Sequence, residues 1–264
     1  MRIALGIEYD GAAHCGWQSQ ANGCGVQDKL EAALSGIAAE KISLICAGRT
    51  DTGVHALGQV AHFDTASQRP DSAWVRGVNA LLPDSIAVQW AQVIDADFHA
   101  RFSALSRTYT YVLYNHPVRP ALQNGKVGWY HAPLDVAAMQ SAAQNLLGQH
   151  DFSAFRAAEC QAKTPIKTIN YINLQQRGDY ITLTLNANGF LHHMVRNIIG
   201  SLIYIGAGKQ PMSWLQALLL EQDRTRAAPT FAPDGLYLVA IEYADKWNLP
   251  VFSKANWFDF KVIT

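Results

Sequence analysis

The order in which hydrophobic periodicity changes along this chain limits the folds open to it more than any other feature. Residues 2–9 alternate as a half-buried strand does, and Val26, Leu30, Ala33, Leu34 and Ile37 recur at the spacing of an amphipathic helix. Strands are expected at 42–47 and 56–64, a helix at 72–82 and a strand at 86–94. From residue 107 the order β-α-β-β-α-β begins again. A strand at 107–114 precedes a helix at 135–147, strands at 167–175 and 179–187, helices at 192–206 and 211–221, and a strand at 236–243. Asp135 is suited to cap the third helix, and Pro211 to the first turn of the last. The expectation is an α+β chain of two split-βαβ modules, ferredoxin-like or RRM-like, with a mostly antiparallel sheet. The N-terminal module spans 1–104, the second 105–245, and a tail follows at 246–264. The repeat rests on element order alone, and such sheets often bind RNA, though fold does not establish function.

Composition removes several classes. The 264 residues carry 21 Lys plus Arg against 21 Asp plus Glu, so no charged tail advertises a nucleic-acid partner and any basic surface must be local. Residues 1–4 run straight into the first strand rather than a signal peptide, and no apolar run approaches the ~20 residues of a membrane span. The reading is a soluble, cytoplasmic protein. Cys15, Cys24, Cys46 and Cys160 form no CxxC pair or zinc-ligand spacing, and half-buried reduced thiols are expected. His192 and His193 are adjacent, but successive helical residues point about 100° apart. No metal is expected.

The densest chemistry lies in Ala47-Gly48-Arg49-Thr50-Asp51-Thr52-Gly53-Val54-His55-Ala56, between two strands. Asp-Thr-Gly makes good turns, so a plain connecting loop is one reading. The other is a carboxylate on a short glycine-flanked loop, kept ionised and oriented by Arg49, as a nucleophile or base requires.

This loop resembles the catalytic signature of the tRNA pseudouridine synthase A family. Tyr9-Asp10-Gly11 with Cys15-Gly16-Trp17-Gln18 resembles the family's opening motif, and residues 26–34 its first helix. Phe98-His99-Ala100-Arg101-Phe102-Ser103-Ala104 and Arg107-Thr108-Tyr109-Thr110-Tyr111 resemble two further segments. Gly189-Phe190-Leu191-His192-His193-Met194-Val195-Arg196-Asn197 resembles a helix start, and residues 235–238 the closing strand. The likeness runs from residue 1 to about 244; the tail after Tyr243, with Trp247, Phe252, Trp257, Phe258 and Phe260, has no counterpart.

The resemblance implies a pseudouridine synthase fold with a cleft between its domains, and a cofactor-free, homodimeric isomerase. Its substrate would be tRNA, at uridines 38 to 40 of the anticodon stem-loop. Asp51 would be the catalytic nucleophile, with Arg49 and Arg196 near the carboxylate and a substrate phosphate. Tyr109 would stack on the uracil. Tyr109 and Tyr111 share one side of a strand, so a core pair is the alternative there, and a solvated side chain is the alternative for Arg196. Gly200 lies one turn beyond Arg196 and permits close approach by backbone or substrate. His55 and His192 read as loop-fixing or RNA-contacting, and Arg101 and Arg107 as substrate-binding. With Arg119, Lys126, Arg156, Lys163 and Lys167 they make residues 98–168 a basic stretch, a track for phosphates. Two rivals stand beside this reading. A non-catalytic tandem RNA-binding protein has little use for a carboxylate facing phosphate, and an aspartate-dependent glycosidase usually needs a second carboxylate.

Overall fold

The computed structural model describes residues 1–250. β1 (Arg2–Tyr9) turns Ile3, Leu5 and Ile7 into the core, where they meet Val26, Leu30 and Leu34 of α1 (Val26–Ala38). β3 (His55–Asp64) and β4 (Ile86–Ile94) pair antiparallel with the two edges of β1. β2 is only Ile45–Cys46, antiparallel to β3, where alternation promised 42–47. The reason is local: Leu44 N–H donates to Glu31 Oε1 at 2.7 Å and Ile42 N–H to Ser35 Oγ at 2.9 Å, so α1 side chains take the strand's donors. The helix expected at 72–82 winds through a wider π turn at Ala73–Gly77 and ends at 79, where the Asn79 amide bonds the backbone of Val88 in both directions.

The second half repeats the neighbour order of the first. β5 (Ala104–Asn115) lies between β9 (Tyr180–Ala187) and β10 (Leu236–Tyr243), and β8 (Ile166–Arg177) adds to β9. Two short strands escaped the periodicity: β6 (Gly128–Tyr130), parallel to β5, and β7 (Gly148–Asp151) at the edge of β8. α2 (Val136–Ala143) is capped by Asp135, which accepts from Ala138 N–H at 2.9 Å, but gives way to a 3₁₀ turn at Gln144–Leu146 rather than reaching 147. α3 (Met194–Gly206) supplies Ile198, Ile199 and Leu202 to the core. α4 (Trp214–Glu221) begins after Pro211, which sits in the turn that precedes it.

The halves share one mostly antiparallel sheet, ordered β4-β1-β3-β10-β5-β9-β8-β7. The seam is a short parallel pairing of β10 with β3, Tyr237 against His55 and Leu238 against Ala56. No helix among the described residues is long and apolar enough to cross a membrane.

One expectation needs correction. Cys15 and Cys24 form a disulfide rather than remaining thiols; Cys15 N–H donates to Cys24 O, which sets their Cα atoms 5.4 Å apart, within bonding reach. Cys46 and Cys160 are free. Within the tail, Trp247 packs edge-on against Phe98, while Phe252, Trp257, Phe258 and Phe260 lie outside the described residues.

Candidate active site

The Asp51 carboxylate rides on residues 47–54, the loop between β2 and β3, whose course is fixed by backbone contacts. Ala47 N–H donates to Val60 O, Gln59 Nε2 to Gly48 O, and Trp17 N–H to Thr50 O. The buried Thr50 hydroxyl shares a 2.7 Å hydrogen bond with the Tyr9 hydroxyl. Val54 N–H closes a turn on Asp51 O, and Gly53 completes it at φ 79°, in the left-handed region, with the Pro233 ring 2.9 Å from where a Cβ would stand. At Gly16 a Cβ would come within 2.8 Å of Thr50 O. The Tyr9–Trp17 segment therefore braces the loop from below, so the two motifs near the N-terminus act on one carboxylate.

α3 faces it from the other half. Arg196, in the first turn, donates Nη1 to Asp51 Oδ2 at 3.1 Å and Nε to Phe231 O at 2.8 Å. Gly200 admits the Pro229 carbonyl, 2.6 Å from its absent Cβ, so it is backbone that approaches there. His192 Nε2 lies 3.3 Å from Asp51 Oδ1 and His193 Nε2 3.3 Å from Oδ2. The expected divergence of these histidines does not occur. The helix starts only at Met194, and His193 precedes it with φ 61°, so both rings turn to the same carboxylate with centroids 3.9 Å apart. Burial holds the His193 imidazole below its usual pKa, against the opposing pull of Asp51.

The remaining sequence-derived residues separate into those that line this cleft and those that do not. Arg49 is exposed and reaches Gln161 Oε1 across the cleft at 3.3 Å; the cation that pairs with Asp51 is Arg196 instead. Tyr109 on β5 is 8 % exposed and meets Phe190 edge to face at 5.0 Å, and burial followed by the Asp51 charge raises its hydroxyl well above the usual tyrosine range. Tyr111 is a core residue bonded to Ala232 O. Arg107 spends its guanidinium on four carbonyls, those of Ala47, Arg101, Ala104 and Asn188. It ties three loops at the cleft, and burial lowers its pKa. His55 is buried beside Asp10 and bonded to Asp234 O, a loop-fixing position.

The cleft has a volume of about 1220 Å³ and is lined by six cations, Arg49, Arg101, Arg107, Lys163, Lys167 and Arg196, against Asp51 and Glu159. Arg119, Lys126 and Arg156 are not among its lining residues; Lys126 pairs with Asp10, and Arg156 braces the Lys163 loop through Cys160 O and Ala162 O. Sequence reasoning missed His193, Phe190, Gln161 and above all Phe102, 76 % exposed at the cleft with Arg101 5.7 Å over its ring. An apolar ring flanked by cations in a break of strand alternation was the available signal.

Three comparisons bear on this arrangement. A family model described as tRNA pseudouridine synthase matches residues 6–103 and 142–244. A tRNA pseudouridine synthase A from Thiobacillus denitrificans is 59% identical over 254 residues, covering 96% of this chain and 98% of its own. One from Herminiimonas arsenicoxydans is 60% identical over 253 residues, covering 94% and 92%. Among solved structures, an H/ACA RNP bound to a substrate RNA containing 2′-deoxyuridine aligns over 76% of this chain and 44% of its own, with TM-score 0.36 and 10% identity.

Proposed function

The chain belongs to the tRNA pseudouridine synthase family, whose reaction isomerises uridine to pseudouridine in tRNA, and from that premise we propose that it acts on uridines 38 to 40 of the anticodon stem-loop with Asp51 as the reacting carboxylate. The observation that carries this is the convergence of Arg196, His192 and His193 on Asp51 inside a cation-lined cleft. The family assignment makes the chain an enzyme, which removes the reading of a pure RNA binder.

The reaction breaks the N1–C1′ bond, turns the uracil and joins C5 to C1′; the C5 proton is lost and N1 regains one. No electron is transferred and no group is imported, so the proposal needs no cofactor. Asp51 attacks C1′ or C6, or removes a ribose proton; each requires a carboxylate held in place, which the Arg196 hydrogen bond supplies. Arg196 also faces the negative charge that builds on the detached ring. A stacked uracil cannot reach the foot of this cleft, so the nucleotide is flipped out at a cost of a few kcal/mol. Stacking on Tyr109 returns about 1–3 kcal/mol. Arg49, Arg101 and Lys163 are the exposed cations of the cleft, where the phosphates would pass, and Phe102 offers a second face for a base. His192 would contact the substrate above Asp51. In this reading residues 1–104 and 105–245 are two domains, each supplying one wall, and the working form is a cytoplasmic homodimer.

Transcripts carrying a single anticodon-arm uridine at 38, 39 or 40 test the target, with pseudouridine mapped by carbodiimide adducts and reverse transcription. Modification at these positions and at no other uridine is expected. Modification confined to another arm would overturn the assignment, and a sedimentation experiment reads the dimer.

A further inference from the structure

Asp51, His192 and His193 offer one carboxylate oxygen and one ring nitrogen each within 4.8 Å of one another, the only such trio among the described residues. A tetrahedral zinc site with bonds of about 2.0–2.1 Å sets neighbouring ligand atoms about 3.3 Å apart. His192 Nε2 stands at that spacing from Oδ1 of Asp51 and His193 Nε2 from Oδ2, 3.3 Å in each case. The three side chains retain 24 to 36 % of their surface and line the open cleft, which provides an entry path and a free fourth position. Arg196 and His193 both face Oδ2 and His192 faces Oδ1, so the carboxylate presents one oxygen to each ring.

We propose that this trio binds a divalent transition ion of the zinc class and that the bound ion inhibits the isomerase by occupying its carboxylate. The ligands select the class. Magnesium and calcium seek several oxygens and gain little from imidazole. Two imidazoles and one carboxylate suit zinc, cobalt, nickel or copper. Metal binding stands on the geometry alone, whereas inhibition rests on Asp51 being the reacting group.

The full chain, stripped by a chelator and dialysed, is titrated with Co²⁺ and read by visible absorption. The band of four-coordinate cobalt should rise to one equivalent and fall when Zn²⁺ is added. His192→Gln and His193→Gln should each lose it with unchanged melting curves, while Cys160→Ser, which removes the thiol beside the His192 N–H, keeps it. Should a histidine variant melt early, Asp51→Asn supplies the same comparison. Absence of the band, or a band that survives both histidine substitutions, overturns the site. In parallel, tritium release from tRNA labelled at uracil C5, with Mg²⁺ held constant, should be lost at saturating Zn²⁺ and return on chelation. A full cobalt band with undiminished turnover in Zn²⁺ would overturn the inhibition and count against Asp51 as the reacting group, leaving the binding site standing.

Discussion

Tyr109 carries the sharpest question at the scale of one residue, because its ring is both core and cleft. It is 8 % exposed, lines the cleft and meets Phe190 edge to face, and burial raises its hydroxyl above the usual tyrosine range. If the ring serves as the stacking face, Tyr109→Phe retains it, whereas Tyr109→Ala forfeits about 1–3 kcal/mol of stacking, or about 5- to 150-fold in turnover. Turnover and melting temperature are measured together. Near-parental turnover in a folded Tyr109→Ala would return the residue to the core. Asp51 was legible in the sequence because its loop is contiguous. Its partner was not: Arg49 and Asp51 are two apart in a turn, and chain proximity does not say where two side chains point. The cation that pairs with Asp51 lies on α3 instead, and only the fold brings it there. Arg107 misled in the same way. A cation in a basic stretch suggests phosphate, but four carbonyls already claim this one.

Among the elements, those with several periods were readable and those without were not. β1, α1, β3, β4 and β9 lie within a few residues of their expected bounds, whereas β6 and β7 are three and four residues long and leave no period to detect, and β2 keeps only the end of its expected 42–47. α3 was expected to start two residues too early, at 192; the left-handed His193 delays the helix to Met194, and that turn creates the histidine pair. The turn that carries Asp51 has its own test. Gly53→Ala places a Cβ at φ 79° against the Pro233 ring, a backbone cost of about 1–2 kcal/mol before any clash. A lower melting temperature and a larger fall in kcat than in tRNA affinity are expected, because the strained turn carries Asp51 rather than the basic rim. Unchanged melting and turnover would show that the loop does not depend on this turn.

In the whole molecule, the sheet runs without a break through the β3–β10 seam, so the two walls of the cleft are set by one framework. The mostly antiparallel sheet was visible in the sequence; the seam that joins its halves was not, because it is two residue pairs long. Net charge was likewise silent, since a neutral chain collects six cations in one cleft. Phosphate contact predicts that Lys163→Ala lowers the slope of log affinity against log salt by about 0.7–0.9. Arg107→Ala should instead lower the melting temperature, because it removes several charge-assisted hydrogen bonds. An unaltered salt slope in Lys163→Ala would move the phosphate track elsewhere. The central claim is that this cleft isomerises uridine through the carboxylate of Asp51. Asp51→Asn tests it most directly, because asparagine keeps the shape and one acceptor oxygen while losing charge and nucleophilicity. Tritium release from uracil C5 is measured beside tRNA retention in a gel shift: the account predicts no detectable release with tRNA affinity within a few fold of the parent, and substantial release from the folded variant would contradict it.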